Sequence, residues 1–432
     1  MRLGLARTSL LNGAAVATRL GVGLALNKVL AVYVGPAGFG VIGQFQSLVA
    51  MLGALAGGAF GNGVTKLTAE HAADPAHQLA VWRTAATLGL IGAAAAAAVL
   101  LLFGGPLAGW LLGDPTLAGV MAWLALGLLG IALNGLLLAA LAGLKAVGAF
   151  VVANVAGSLL SVVVAVTLVV QAGLYGALVA AAIGQAVACL ASVVVFRRVW
   201  KGRWRSLLGR FDRKAARALG GFALMAVASA IVLPLAHIAI RDGLARLGGA
   251  ELAGLWQAMF KLSDTHLLLL TTTLSLHFLP HFAEIGDGSV LRAAVIKGYR
   301  FVLPLVCATS LAIWLLREPL VQLLFTRDFL PLTDALGWQL VGDVLKIGSW
   351  VPAFTMISHA RTRLFIASEV AFALVLTLLC LAFAARFGLK GAAIGYALTY
   401  AIYWVFVHHQ FGRLTARLRP PAPMLTTGHV GP

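Results

Sequence analysis

Seven ionisable side chains sit where charge is hardest to keep. Arg19, Lys28, Lys261, Asp264, Asp343, Lys346 and Glu369 all fall within long apolar stretches. On insertion scales each costs roughly 2.5–3.5 kcal/mol at the centre of a bilayer. All seven facing lipid would outweigh the folding stability of an ordinary domain, so they must snorkel, pair or line water. Arg19, Lys28 and Glu369 lie near enough to span ends to snorkel. Lys261–Asp264 and Asp343–Lys346 are each spaced i,i+3, which puts each pair on one helix face. Such a pair is either a neutralised structural contact or part of a wet cavity where a proton or an anionic substrate competes for the partners. A carboxylate there can serve ion coupling. Arg19 and Lys28 lie about 13–14 Å apart along a helix, with no acid in that helix to offset them. Unpaired cations of this kind suit an anionic headgroup such as a diphosphate.

The elements that must position these groups are membrane spans. Of 432 residues, 61% are hydrophobic and 11% charged, which excludes an ordinary soluble domain. Long unbroken apolar runs, without the alternation of a barrel strand, predict an all-α integral membrane protein. Twelve transmembrane helices are expected, near 10–34, 39–61, 81–103, 117–140, 147–170, 174–196, 217–240, 252–280, 298–316, 333–356, 363–385 and 391–411. The breakers between them include GPAG at 35–38, Asp114-Pro115, Gly173, Pro319, Pro331 and Gly388. The first span carries Arg19 and Lys28 and is too long for a cleavable signal peptide, so it is expected to remain as helix 1.

Charge sets the orientation. The formal charge is +18, but the basic residues sit in loops, which follows the positive-inside rule and argues against nucleic acid as a partner. Most of the 32 Lys and Arg fall at the termini and in even-numbered loops, nine of them from Arg197 to Arg217. Both termini are therefore expected in the cytoplasm. Arg241 and Arg246 count among the few basic residues of the outer loops.

The halves repeat. GLYGA at 173–177 returns as GLKGA at 388–392, Asn154-Val155-Ala156 aligns with Glu369-Val370-Ala371, Gly40 with Gly254, and Leu111-Leu112 with Leu323-Leu324. Six helices per half is an even number, so both halves share one orientation, with a central cavity between the lobes. The expected organisation is a six-helix lobe over 1–196, a basic linker over 197–216, a second lobe over 217–411, and a disordered cytoplasmic tail over 412–432.

Other candidates are weaker. His277 and His281 are spaced like a metal pair, but Pro280 intervenes and no third ligand is evident, so no metal is expected. His237 and His266 read as packing histidines. Gly53, Gly57 and Gly61 read as a helix-packing surface. Cys189, Cys307 and Cys380 fall within spans and show no disulfide pattern. No P-loop occurs, so ATP-driven transport is not expected, and no cofactor is implied.

In four segments the chain resembles the Wzx-type lipid-linked oligosaccharide flippases of the MOP exporter superfamily (multidrug, oligosaccharidyl-lipid, polysaccharide), closest to the lipid III/O-antigen flippases. The segments are GPAGFG at 35–40, NGVTK at 62–66, FVLP at 301–304 and WQLVGDVLK at 338–346. The resemblance covers residues 5–411, and WQLVGDVLK is its most specific part. It implies two six-helix lobes around a central cavity. It also implies transfer of undecaprenyl-diphosphate-linked oligosaccharide from the cytoplasmic to the periplasmic leaflet of the bacterial inner membrane. By motif, Lys66, Asp343 and Lys346 fall on charged positions typical of the family. The expected diphosphate ligands are Arg19, Lys28, Lys66, Lys261 and Lys346; the expected ion-coupling or charge-pair residues are Asp264, Asp343 and Glu369. A polysaccharide polymerase and a chain-length regulator are the partners the resemblance implies, besides membrane lipid. The alternatives are a drug antiporter of the same superfamily, which would want an acidic cavity, and a glycan polymerase or ligase, which would want a large outer loop.

Overall fold

A computed structural model describes the backbone of residues 2–202, 211–285, 287–358 and 362–417. Side chains are described from Gly21 onward, apart from a few helical stretches that include 272–281 and 356–365. Arg19, His277, His281, residues 203–210 of the expected 197–216 linker and the tail beyond Arg417 thus fall outside the described side chains or residues.

The described residues form helices joined by short turns, with no strand. The chain order is α1 (Arg2–Leu55), α2 (Gly61–Glu70), α3 (Pro75–Leu102), α4 (Gly104–Leu112), α5 (Ala118–Gly143), α6 (Val147–Val199), α7 (Arg213–Glu284), α8 (Gly288–Leu315), α9 (Arg317–Leu324), α10 (Thr333–Ser358) and α11 (Thr362–Arg417). Four of these are two spans joined at a break. The breaks fall at Gly35 (φ 66°), Gly173 (φ 52°), Gly249 (φ 80°) and Gly388 (φ 55°). A side chain with a Cβ is strained at such angles, so glycine lets the chain turn back without a loop. Counting both arms of α1, α6, α7 and α11 with α3, α5, α8 and α10 gives twelve spanning segments, the number expected.

The repeat is visible in the elements. α3 and α8 have 28 residues each, and α5 and α10 have 26. Each 28-residue helix is followed by a short helix, α4 or α9, and a 3-10 turn, Pro115–Leu117 or Arg327–Leu332. Breaks at Gly35 and Gly249 mate, as do those at Gly173 and Gly388. Since the number of spans is even, the start of α1 and the end of α11 lie on one face, the terminal face. The breaks, α4 and α9 lie on the opposite, far face.

Acids are few, and several close helix ends. Asp74, Asp212 and Asp287 each accept from two backbone N–H groups at the start of α3, α7 and α8. A side-chain oxygen there meets donors that have no partner inside the helix.

Two expectations need correction. α11 does not stop at residue 411; it continues through Gly412 to Arg417. Leu414 and Thr415 are buried, and the Thr415 hydroxyl accepts from Arg292 Nε at 2.9 Å, so the last turn is packed against α8. Gly53, Gly57 and Gly61 do not share one continuous helix surface, because α1 ends at Leu55 and Gly57 takes a left-handed conformation, φ 117°.

Candidate functional site: the cavity and its far-face seal

The repeats meet most extensively where α1 lies against α7. Toward the far face the contact is closed. Gly40 and Gly254, mates in the repeat, face each other so closely that a Cβ on Gly254 would lie 1.7 Å from the Pro36 carbonyl oxygen. Only glycine permits that approach. Beside it Phe39 of the first repeat packs edge-on against Phe325 and Phe329 of the second, with ring centroids 5.7 and 5.6 Å apart.

Lys28 fastens the same face. Its ammonium donates to the carbonyl oxygens of Gln322, at 2.7 Å, and of Phe325. Both lie at the C-terminal end of α9. The last carbonyls of a helix lack partners in the helix and carry partial negative charge, so a cation is well placed there. Lys28 is therefore a bond between repeats in this conformation.

Arg241 forms the third fastening, and its position departs from expectation. It is not in an outer loop. It lies inside α7 and is 2% exposed. Nε donates to Gln44 Oε1 at 3.1 Å, one terminal nitrogen donates to Gln257 Oε1 at 2.6 Å, and the other donates to Ser47 Oγ. The ring of Trp256 lies 5.8 Å from the guanidinium. Gln44 in turn donates from Nε2 to the Ile238 carbonyl at 3.2 Å. The nearby acid, Asp242, pairs with Arg246 at 2.9 Å. Neutral amide and hydroxyl oxygens from both repeats thus solvate a buried cation, which removes the cost that a hydropathy reading assigns to it. The i,i+4 step from His237 to Arg241 on an apolar helix was the available sequence signal.

Below the seal is a cavity of about 680 Å³. It is lined by both arms of α1, by α5, by both arms of α6 and by the second arm of α7. Its volume falls within the ~300–1,000 Å³ usual for a small-ligand site. Lys261 and Asp264 both line it, so the expected shared face is observed. Among the described residues they are the charged groups in the lining. Lys261 lies twelve residues beyond the Gly249 break, about 18 Å along the helix from the far face.

Asp343 and Lys346 share a helix face but do not answer each other. Both are buried in the second repeat, at 0% and 7% exposure. Asp343 Oδ1 accepts from Ser263 Oγ at 2.5 Å and from the Tyr396 hydroxyl at 2.9 Å. Its other oxygen lies 3.5 Å from His266 Nδ1, so a buried imidazole ring stands beside a buried carboxylate. Lys346 sits over aromatic faces instead, 5.4 Å from Trp350 and 5.9 Å from Tyr400. Glu369 is half-buried and accepts from Ser229 Oγ at 2.7 Å, tying the first arms of α7 and α11. Lys66, on α2, is more than half exposed and pairs with Glu70 at 3.5 Å. The structure therefore brings Lys261 and Asp264 to the cavity, Lys28 to the seal, Asp343 and Lys346 to the second repeat's interior, and Lys66 to the surface.

The comparisons with known proteins agree with this architecture. Residues 29–334 match a family described as polysaccharide biosynthesis protein. The chain is 32% identical over 402 residues to the lipid III flippases of Escherichia coli (strain K12) and Shigella flexneri, covering 93% of this chain and 97% of each of those. Among solved structures, an inward-facing multidrug resistance MATE transporter of the MOP superfamily superposes with TM-score 0.78 at 16% identity, covering 94% of this chain and all of that one. An outward-facing MATE transporter gives TM-score 0.67 at 15% identity, over 95% and 96% of the two chains.

Proposed function

This chain belongs to the polysaccharide biosynthesis protein family and is a membrane transporter of the MOP-superfamily fold, and from that premise we propose that it carries an undecaprenyl-diphosphate-linked oligosaccharide across the bacterial inner membrane. The observation that carries the reading is the cavity: a charged chamber of about 680 Å³ between two like-oriented repeats, closed at one face. The physical task is to move a sugar-diphosphate head through hydrocarbon while the polyprenyl tail stays in lipid. A cavity that faces each leaflet in turn does this without exposing the head to acyl chains.

The terminal face is the cytoplasmic one, by the excess of Lys and Arg there. The head enters from that side and is delivered to the periplasmic leaflet, where a polymerase and a chain-length regulator would receive the unit. Lys261 holds the diphosphate at mid-depth, Arg19 on α1 is a further cation for it, and Lys66 stands near the cytoplasmic surface. An arriving diphosphate competes with the α9 carbonyls for Lys28, and this competition loosens the far-face seal. Lys346 acts from within the second repeat. Asp343, beside His266, exchanges a proton that resets the two repeats, with Asp264 and Glu369 as further charge partners.

The test is reconstitution of the purified protein in liposomes with a labelled polyprenyl-diphosphate oligosaccharide, with and without a pH gradient. Label should cross with the protein and faster with the gradient, and Lys261→Ala should slow it at least tenfold. No crossing by wild-type protein would refute the reading.

A further inference from the structure

We infer that the first-repeat wall of the cavity is a glycan-reading surface, contacting the hydroxyl and acetamido groups of pyranose rings, while the charged second-repeat side holds the diphosphate. The inference rests on the transport reading above and assigns the substrate's sugar portion to particular residues.

The charges in the lining, Lys261 and Asp264, both belong to α7. The wall opposite sets uncharged polar groups among small apolar ones: Asn134 on α5, and Asn154, Ser158, Ser161, Gln185 and Ser192 on the two arms of α6. These residues interrupt two of the most apolar helices in the chain. Part of the set is internal glue. Ser192 Oγ donates to Asn134 Oδ1 at 2.6 Å, and Asn134 Nδ2 donates to Gln185 Oε1 at 3.1 Å. Asn134 and Ser192 are buried, which is what helix packing in a membrane asks of polar residues.

The rest of the set does not fit that role. Gln185 is exposed to the cavity, and the bond from Asn134 uses its oxygen, leaving two amide hydrogens as donors. Asn154 spends Nδ2 on the Phe150 carbonyl at 3.0 Å and keeps its side-chain oxygen as an acceptor. Ser161 donates to the Gly184 carbonyl at 2.7 Å and keeps its oxygen lone pairs. Residues that only glue helices would be buried on both sides. These are half satisfied by the protein and half turned to water, with donors and acceptors interleaved. Sugar hydroxyls and acetamido groups are neutral and are donors and acceptors at once, so they match such a wall, whereas a phosphate would want cations. Among the described residues the lining holds no aromatic ring to stack on a sugar. Binding by exchangeable hydrogen bonds alone is weak, which suits cargo that must be released.

The experiment compares two labelled probes in proteoliposomes of the full chain: polyprenyl diphosphate carrying one sugar, and the same lipid carrying a trisaccharide. The readout is the ratio of their transport rates. Gln185→Leu, and the milder Ser161→Ala, should each lower the trisaccharide-to-monosaccharide ratio about three- to tenfold, the worth of one lost hydrogen bond. Thr167→Val, on the exposed side of α6 away from the cavity, should leave it at the wild-type value. Active variants with an unchanged ratio would overturn the glycan-reading wall and leave the transport reading standing. Wild-type protein that moves neither probe would overturn both.

Discussion

Replacing Lys28 with methionine keeps the length and apolar stem of the side chain and removes the charge that spans the two repeats. The ammonium donates to two carbonyl oxygens at the end of α9. A hydrogen bond to a charged group contributes about 1.5–3 kcal/mol, and a cation at a helix C-terminus about 0.3–1 kcal/mol. Lys28 is partly exposed, so solvent screening reduces the sum to about 1–2 kcal/mol. That energy is present only while the far face is closed, so losing it should shift the closed-to-open ratio about five- to thirtyfold toward open. The assay is a spin-label distance between Trp110→Cys on α4 and Leu323→Cys on α9, both strongly exposed, with Cys307→Ser to remove the exposed native thiol. Lys28→Met should populate a longer distance, and Lys28→Arg should restore most of the short one. A distance distribution unchanged by Lys28→Met would refute the reasoning, because it would mean the ammonium contacts α9 without holding it.

Other perturbations have equally definite outcomes. Gly254→Ala places a methyl group against the Pro36 carbonyl and should cost about 1–3 kcal/mol in thermal unfolding and open the far face, whereas Gly412→Ala, with no neighbour near its Cβ, should be neutral. Arg241→Lys keeps the charge but loses the fork that reaches Gln44, Gln257 and Ser47 together, so it should loosen the same seal in the spin-label assay. Asp343→Asn should leave downhill exchange of substrate in place and abolish acceleration by a pH gradient; persistence of that acceleration would remove Asp343 from the coupling step. Asp287→Ala should lower the melting temperature near pH 7. The Ser289 hydroxyl, followed by the Val290 and Ser289 backbone N–H groups, holds the Asp287 carboxyl below its ordinary value. Its contribution is therefore full above the unfolded-state pKa and is lost as pH falls through the lower folded one, so the difference between wild type and variant should vanish in acid.

Much of the fold was legible because its determinants are local. Gly35, Gly173 and Gly388 stand beside proline or between apolar runs, and each marks a reversal of the chain. The fourth reversal, at Gly249, was obscured by Arg241, Asp242, Arg246 and Glu251, whose charges resemble a loop. The first arm of α7 in fact runs on through Arg241, Asp242 and Arg246 to residue 247, and Glu251 opens the second arm. Arg241 could not be placed from sequence because two of the three groups that solvate it, Gln44 and Ser47, are brought by α1, nearly 200 residues away. The spacing of Asp343 and Lys346 correctly gave a shared face, but spacing cannot choose between an in-helix partner and hydroxyls from Ser263 and Tyr396 on other helices. Lys261 and Asp264 were legible because both side chains meet the same cavity. The polar groups on the α5 and α6 wall were invisible for the opposite reason: a single Asn, Gln or Ser barely changes the hydropathy of a span, and only the fold gathers six of them.

On this reading, transport requires the far face to open between the repeats. Phe39 and Phe329 touch across that face, with ring centroids 5.6 Å apart. Phe39→Cys and Phe329→Cys, joined by a short thiol cross-linker in reconstituted protein, should stop transfer of the labelled lipid-linked oligosaccharide, and a cleavable linker should restore it on cleavage. Transfer at the uncross-linked rate through a protein locked in this way would contradict the account.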